Sequence, residues 1–309
     1  LERSCRRCSR YIVAGLILVY CNHFLRIWFW IMQVIVSIML FFGLIGPMSF
    51  VKHHAAWARE MAYVSPAAWL HSAFMLQFVD DKPDLVIAHY QEDLSWLRSY
   101  LPYFGRVYVY CKHLDSCYRG IEEDVISNKA QFTVEYLPNV GRESHTYLTH
   151  ITRHYQHLAP RTVFTLGSLR YNWMRLLSLR YAIADTGAQH MCVAMPKKVI
   201  KDVYNFRIES LRVPMSLGDG YNTLEDVKPI SLSSISPLGV WLDHYLSLDL
   251  SSQTKRCGYG IHGAIFSATK EMIGRYKLDQ YKTLLSLNGL GDSLEVGYYL
   301  ERSWRFILK

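Results

Sequence analysis

Between Ile27 and Phe50 the chain runs for 24 residues, IWFWIMQVIVSIMLFFGLIGPMSF, without one charged side chain. A helix of that length, rising about 1.5 Å per residue, reaches roughly 36 Å and exceeds the ~30 Å hydrocarbon core of a bilayer. Trp28 and Trp30 stand near one end, where amphipathic rings favour the membrane interface. A buried soluble helix that is apolar on every side over such a length is rare, so the expectation is a transmembrane anchor. Arg3, Arg6, Arg7, Arg10 and Arg26 precede it, whereas only Lys52 and Arg59 follow closely. The positive-inside rule then keeps the N-terminus cytoplasmic and carries the rest across. That is a single-pass type II signal-anchor, which in a eukaryotic cell belongs to the secretory pathway (Golgi or ER). A cleaved signal peptide has a shorter apolar core ending at small residues. A second apolar stretch, Tyr11 to Cys21, is followed by Asn22, His23 and Arg26. It fits the start of one tilted helix, an interfacial helix, or a second span in a hairpin.

The remainder is long enough for one domain. The chain has 309 residues, 50% hydrophobic and 19% charged, which excludes both a disordered chain and a polytopic transporter. The expected division is a basic tail over 1–26, the anchor over 27–50, a stem over 51–83 and one α/β domain over 84–309. The formal net charge of +8 owes much to four arginines in the first ten residues. They suit anionic lipid headgroups, and no later basic run resembles a nucleic-acid-binding arm. Of the seven cysteines, Cys5 and Cys8 form a lone CxxC beside the membrane, with no second pair to complete a zinc site. Cys111, Cys117, Cys192 and Cys257 can pair if the domain is luminal, in combinations that spacing does not choose.

From Asp84 a regular alternation begins. DLVIAH (84–89) is a short apolar run suited to a buried strand, and a helix is expected from Glu92 to Tyr100. RVYVYC (106–111) and FTVEYL (132–137) read as the second and third strands. A helix follows from about Glu143 to His157, with Leu148, Ile151 and Tyr155 as its apolar stripe. TVFTL (162–166) is the fourth strand and Met174 to Ala184 a further helix. Residues 205–240, rich in Ser, Gly and Pro, read as loops; AIFSATKEMI (264–273) is a strand running into a helix, and Leu294 to Leu308 a last helix. Strands alternating with helices imply a mostly parallel sheet covered on both faces.

Three stretches carry a resemblance: IAHYQEDLSWL (87–97), YLPNVGRESHTYLTHI (136–151), and GAIFSATKEMI (263–273) with EVGYYLERSW (295–304). In order, spacing and wording the chain resembles, over roughly 84–308, an uncharacterised family catalogued as a domain of unknown function. That family is similar to nucleotide-sugar-dependent glycosyltransferases of the GT-A kind. The resemblance implies a GT-A-like, Rossmann-like sheet with a nucleotide sugar at the carboxyl ends of its first strands. At that edge Tyr90 would stack on a base and Asp93 accept from ribose hydroxyls, although Asp93 equally suits a helix cap. Asn139, Gly141 and Arg142 stand between the third strand and a helix N-terminus, where backbone N–H groups and a guanidinium suit a diphosphate. His145, one turn on, can face the same crevice. Metal-dependent relatives carry Asp-x-Asp after the fourth strand; LGSLRYN (166–172) has no acid there. The expectation is therefore a metal-free site in which Arg170 or Arg142 meets the leaving diphosphate. Glu295, Glu301 and Asp292 are the candidate general bases.

Other motifs weigh less. GYGIHG (258–263) satisfies GxGxxG but follows TKRC rather than a buried strand. His150 and His154 have metal-ligand spacing without the Glu of HExxH, so a packed or solvated histidine row is expected. The resulting expectation is sugar transfer from a nucleotide donor to a glycan or lipid-linked acceptor at a membrane. The rival is a noncatalytic glycan-binding or scaffold protein on the same fold.

Overall fold

The computed structural model describes residues 76, 79, 81–127, 131–170, 172–185, 192–194, 197–208, 232–252, 255–257, 264–291 and 295–308. The chain divides between Phe74 and Met75 into two units, and every described residue belongs to the second. The expected tail, the anchor over 27–50 and most of the stem lie outside the described residues. Among the described residues no helix is long and apolar enough to cross a membrane.

Four parallel strands and one antiparallel edge strand form the main sheet. In chain order these are β1 (Asp84–His89), β2 (Val107–Cys111), β3 (Phe132–Tyr136), β4 (Arg161–Leu166) and, after an isolated antiparallel pair β5 (Cys192–Ala194) and β6 (Lys255–Cys257), β7 (Phe266–Thr269). The order across the sheet is β3-β2-β1-β4-β7, with β7 antiparallel to β4. The helices are α1 (Glu123–Ser127), α2 (Arg142–His154), α3 (Trp173–Ala184), α4 (Lys197–Tyr204), α5 (Leu238–Leu246), α6 (Lys270–Ile273), α7 (Leu278–Asn288) and α8 (Glu295–Ile307).

The period of two along each strand sorts side chains between two cores. Val86, Ala88, Tyr108, Tyr110 and Phe164 face one cluster with Tyr147, Leu148, Trp241, Tyr281, Tyr299 and Trp304, which α2, α5, α7 and α8 supply. Leu85, Ile87, Val107, Val109 and Val163 face the other with Leu94, Trp96, Leu97, Phe104, Leu179 and Ile183. Burial on both faces is why these strands read as continuous apolar runs rather than alternating ones. The α/β fold with a mostly parallel sheet flanked by helices, expected from the sequence, is observed, and the sheet has five strands.

Two expectations need correction. The segment 92–100 is not an α-helix: Ser95–Ser99 and Leu101–Tyr103 are 3-10 turns. The second carries Pro102, which lacks the N–H that an α-helix would use and clashes with the turn before it. Residues 205–240 are not all loop, because α5 begins at Leu238 and buries Leu238, Trp241, Leu242 and Leu246. Helices α4 and α7 also escaped the sequence reading; tertiary burial of short apolar stripes, such as Tyr281 and Leu284 on α7, stabilises what propensity alone does not.

Candidate functional site at the carboxyl edge of the sheet

Chain order places the site. From β1 the chain moves outward to β2 and β3, then returns to lay β4 on the other side of β1. Connections after β1 and β4 therefore diverge, and the carboxyl ends of these strands are the place where open α/β sheets hold their ligands. Backbone bonds tie the strand ends into one row: Gly167 N–H donates to Ala88 O at 2.8 Å, Lys112 N–H to His89 O at 2.9 Å, and Leu137 N–H to Cys111 O at 2.8 Å. Glu92, Lys112, Arg142, Glu143, Arg170 and Arg175 all follow these ends in sequence.

The turn into α2 is unusually constrained. Gly141 (φ 59°) and Arg142 (φ 50°) are both left-handed. A Cβ on Gly141 would lie 2.3 Å from Asn288 O, so only glycine fits. Its N–H donates to Gly291 O at 2.6 Å, and its carbonyl accepts from Asn288 Nδ2 at 2.8 Å. Lys112 Nζ donates to Val140 O at 2.6 Å and also to Arg142 O. Burial lowers the Lys112 ammonium to about 8, against the attraction of Glu143. A left-handed non-glycine residue costs on the order of 1–3 kcal/mol and persists only where its surroundings hold it; here Lys112 and Asn288 do so.

Arg142 places its guanidinium 5.1 Å from the centre of the Tyr298 ring on α8. Tyr298, Glu301 and Arg302 are three and four residues apart and share that helix face. Glu301 is half-buried, and burial followed by repulsion from Glu143 raises its carboxyl above the ordinary range, while Arg142, Arg302 and Arg175 pull it back. Arg302 lies 4.0 Å from the Phe206 ring centre. Arg175 donates to Ser168 Oγ at 2.6 Å and Ser168 O at 3.1 Å, while its buried Nε has no hydrogen-bond partner. Such a set, a raised carboxyl among guanidinium groups at a sheet edge, can accept a proton and hold an anion.

The structure brings Arg142 and Glu301 within electrostatic reach of each other. Gly141 and His145 belong to the same turn as Arg142, His145 N–H donating to Gly141 O at 3.0 Å, while the remaining candidates have other partners. Asp93 accepts from Ser95 N–H at 2.8 Å and pairs with Arg170, so the two form one flank, beside the core that holds Leu94 and Trp96. Tyr90 is exposed, its ring edge-on to His113 at 5.3 Å. Asn139 is exposed, whereas His145 is buried with Nδ1 unpaired, and burial lowers its pKa to about 4. Glu295 is buried and braces two loops, accepting from Ile208 N–H and Ser233 N–H at 2.9 Å each. Asp292 lies outside the described residues, as does GYGIHG.

Two neighbouring features complete the edge. Cys111 and Cys117 form a disulfide, with Cα atoms 5.5 Å apart, which answers half of the pairing question. It closes the loop under an open groove of about 620 Å³ lined by Gln91, His113, Leu114, Asp115, Tyr118 and Arg119. Ser116 Oγ donates to Tyr90 O at 2.6 Å and Arg119 Nη1 to Gln91 O at 3.1 Å, joining that loop to the one after β1. His150 and His154 lie with ring centres 4.6 Å apart, tilted by 34°, against Tyr108, and His150 Nδ1 bonds Tyr110 Oη at 3.0 Å. His150 is thus a packed core histidine. Among the described residues no three His, Cys, Asp or Glu side chains gather at metal-binding distance.

Lys112, Arg175, Tyr298, Arg302 and Asn288 were not singled out from the sequence. The position of Lys112, one residue past a predicted strand, was the available signal for it; the other four depend on helix packing. No curated protein and no solved structure matches the chain significantly. A family model described as "Protein of unknown function (DUF3431)" matches residues 85–190. The match ends before the 263–273 and 295–304 segments that also carried the resemblance. The matched residues, which include Glu92, Lys112, Arg142, Glu143 and Arg175, are thus similar to a family described only as of unknown function.

Proposed function

We propose that the chain is a glycosyltransferase that moves a sugar from a nucleotide-sugar donor to a glycan or lipid-linked acceptor. The observation that carries this reading is Glu301, a carboxyl raised by burial, set within reach of Arg142 and Arg175 at the carboxyl edge of a sheet with a switch point. In an inverting transfer Glu301 takes the proton of the acceptor hydroxyl as its oxygen attacks the anomeric carbon. The bond from that carbon to the diphosphate breaks, and the nucleoside diphosphate leaves with the electron pair. Arg142 and Arg175 meet its charge, with no divalent metal in the scheme. The likeness to GT-A enzymes belongs to this proposal, as do the single-pass type II anchor over 27–50 and residence in the secretory pathway. The Cys111–Cys117 disulfide supports such a compartment.

A noncatalytic glycan-binding protein is the second reading, favoured by the pairing of Asp93 with Arg170 and of Gly141 N–H with Gly291 O. Both use up groups that a donor would otherwise engage. Thermal-shift titration of the full chain in detergent against UDP, GDP and their sugars tests the proposal. Stabilisation that Arg142→Ala removes is the expected outcome. A flat response across the panel, with retained binding to immobilised glycans, selects the second reading.

A further inference from the structure

We propose that Cys192 and Cys257 close a second disulfide, which joins β5 to β6 and fixes that ribbon against the helix carrying Glu301. The inference rests on backbone register and is independent of the proposed activity. In the antiparallel ladder Cys192 is the direct partner of Cys257, as Val193 is of Arg256 and Ala194 of Lys255. Directly opposed residues of an antiparallel pair have Cα atoms roughly 4.5–5.5 Å apart, within the ~4.4–6.8 Å that a disulfide spans. Two thiol-bearing residues from distant parts of the chain meet at this one register position.

Parity points the same way. The second structural unit, Met75–Lys309, contains four cysteines, at 111, 117, 192 and 257. Cys111 and Cys117 are bonded to each other. The remaining pair is the pair that the ladder sets opposite. A unit that holds one disulfide matures where thiols are oxidised, and there two opposed cysteines have no reason to stay reduced.

The ribbon also needs a tie. Each strand is three residues long and the sheet has only two strands, and an isolated two-stranded ribbon is at best marginally stable. Strand β6 contacts α8, so a covalent link from β5 would hold the segment after α3 to the helix that presents Tyr298, Glu301 and Arg302.

The bond forms by ordinary exchange with a low-molecular-weight disulfide. The Cys192 thiolate attacks one sulfur of glutathione disulfide and releases one glutathione thiolate. The Cys257 thiolate then attacks the Cys192 sulfur of the mixed disulfide and releases the second. Two protein thiols are oxidised, one glutathione disulfide is reduced, and the two protons pass to the departing thiolates. Attack in the reverse order gives the same product.

The test uses the full chain in detergent, reduced and then equilibrated in a glutathione buffer poised at about −200 mV, a secretory-pathway value. After an acid quench and alkylation, the protein is digested without reductant and mapped by mass spectrometry. A linked peptide pair containing Cys192 and Cys257, lighter by two hydrogens than the separate thiols, is expected beside the Cys111–Cys117 pair. Cys192→Ser should leave Cys257 alkylated, and Cys257→Ser should leave Cys192 alkylated. The two single variants and the double variant should lose the same Tm, because each removes one bond. Alkylation of both cysteines in the native chain, or either one joined to a different cysteine, overturns the proposal.

Discussion

Asn288 donates its side-chain amide to the carbonyl of Gly141 at 2.8 Å, so the end of α7 holds the turn that begins α2. The contact spans 147 residues of sequence and sets where Arg142 stands. Asn288→Ala removes one of two donors to the Gly141 carbonyl, which still accepts from His145 N–H at 3.0 Å, and should cost about 0.5–1.5 kcal/mol. Gly141→Ala adds a left-handed alanine and a clash with the Asn288 backbone, and should cost about 2–4 kcal/mol. Urea denaturation measures both. An alanine at 141 as stable as glycine would mean that the turn is not the one described.

Glu301 and Glu295 share a helix but not a surrounding. Glu301→Gln should lower kcat by about 10²–10⁴ while nucleotide-diphosphate binding persists. Because its carboxyl is raised, the rate should climb with pH through a midpoint above the usual carboxylate range. Glu295→Ala strands the buried N–H of Ile208 and the half-buried N–H of Ser233 and should lower stability by about 1–3 kcal/mol. A Glu301→Gln protein with full turnover would remove Glu301 from the chemistry.

Asp93 and Arg170 offer a contrasting case. Their ion pair is partly exposed, and such pairs contribute about 0–1 kcal/mol. Asp93→Asn keeps an oxygen for Ser95 N–H, so stability should change by less than about 1 kcal/mol, with nucleotide binding unaltered. A large loss of affinity in calorimetry would instead restore the ribose role to Asp93.

Acid should expose the buried histidines. Burial lowers His145 to about 4 and His150 to about 3, the latter with a further push from His154. Below the unfolded value of about 6.5 the unfolded chain binds more protons than the folded one. The stability that the neutral rings confer is complete above that value and is lost as pH falls towards 4 and 3. Each histidine contributes up to about 1.4 kcal/mol per pH unit in that window. Denaturation at pH 7, 6 and 5 should show His150→Asn losing stability less steeply than the native chain; parallel lines would contradict the burial account.

Reduction of Cys111–Cys117 frees the loop under the Gln91–Arg119 groove. For so short a loop the chain-entropy model gives about 2 kcal/mol. Cys111→Ala with Cys117→Ala should therefore lower stability by that order without altering secondary structure, as paired denaturation and circular dichroism will report.

What the sequence determined by itself was the local pattern. Apolar runs at 84–89, 106–111 and 162–166 mark three parallel strands, because each is buried on both faces and its identity needs no distant partner; 132–137, at the sheet edge and partly exposed, is marked by its β-branched and aromatic residues instead. The stripe Leu148, Ile151 and Tyr155 likewise announces α2. Only the tertiary structure decided which polar residues share a site. Asp93 and Arg142 each follow a strand of one sheet edge, yet Asp93 pairs with Arg170 while Arg142 meets Tyr298 and Glu301. Glu295 and Glu301 are both acids of one helix, and their difference comes from loops 87 and 62 residues away that donate to Glu295. Strand and helix periodicity is encoded within a few neighbours. The partner of a charge is chosen by packing between segments far apart in the chain, and no local spacing records it.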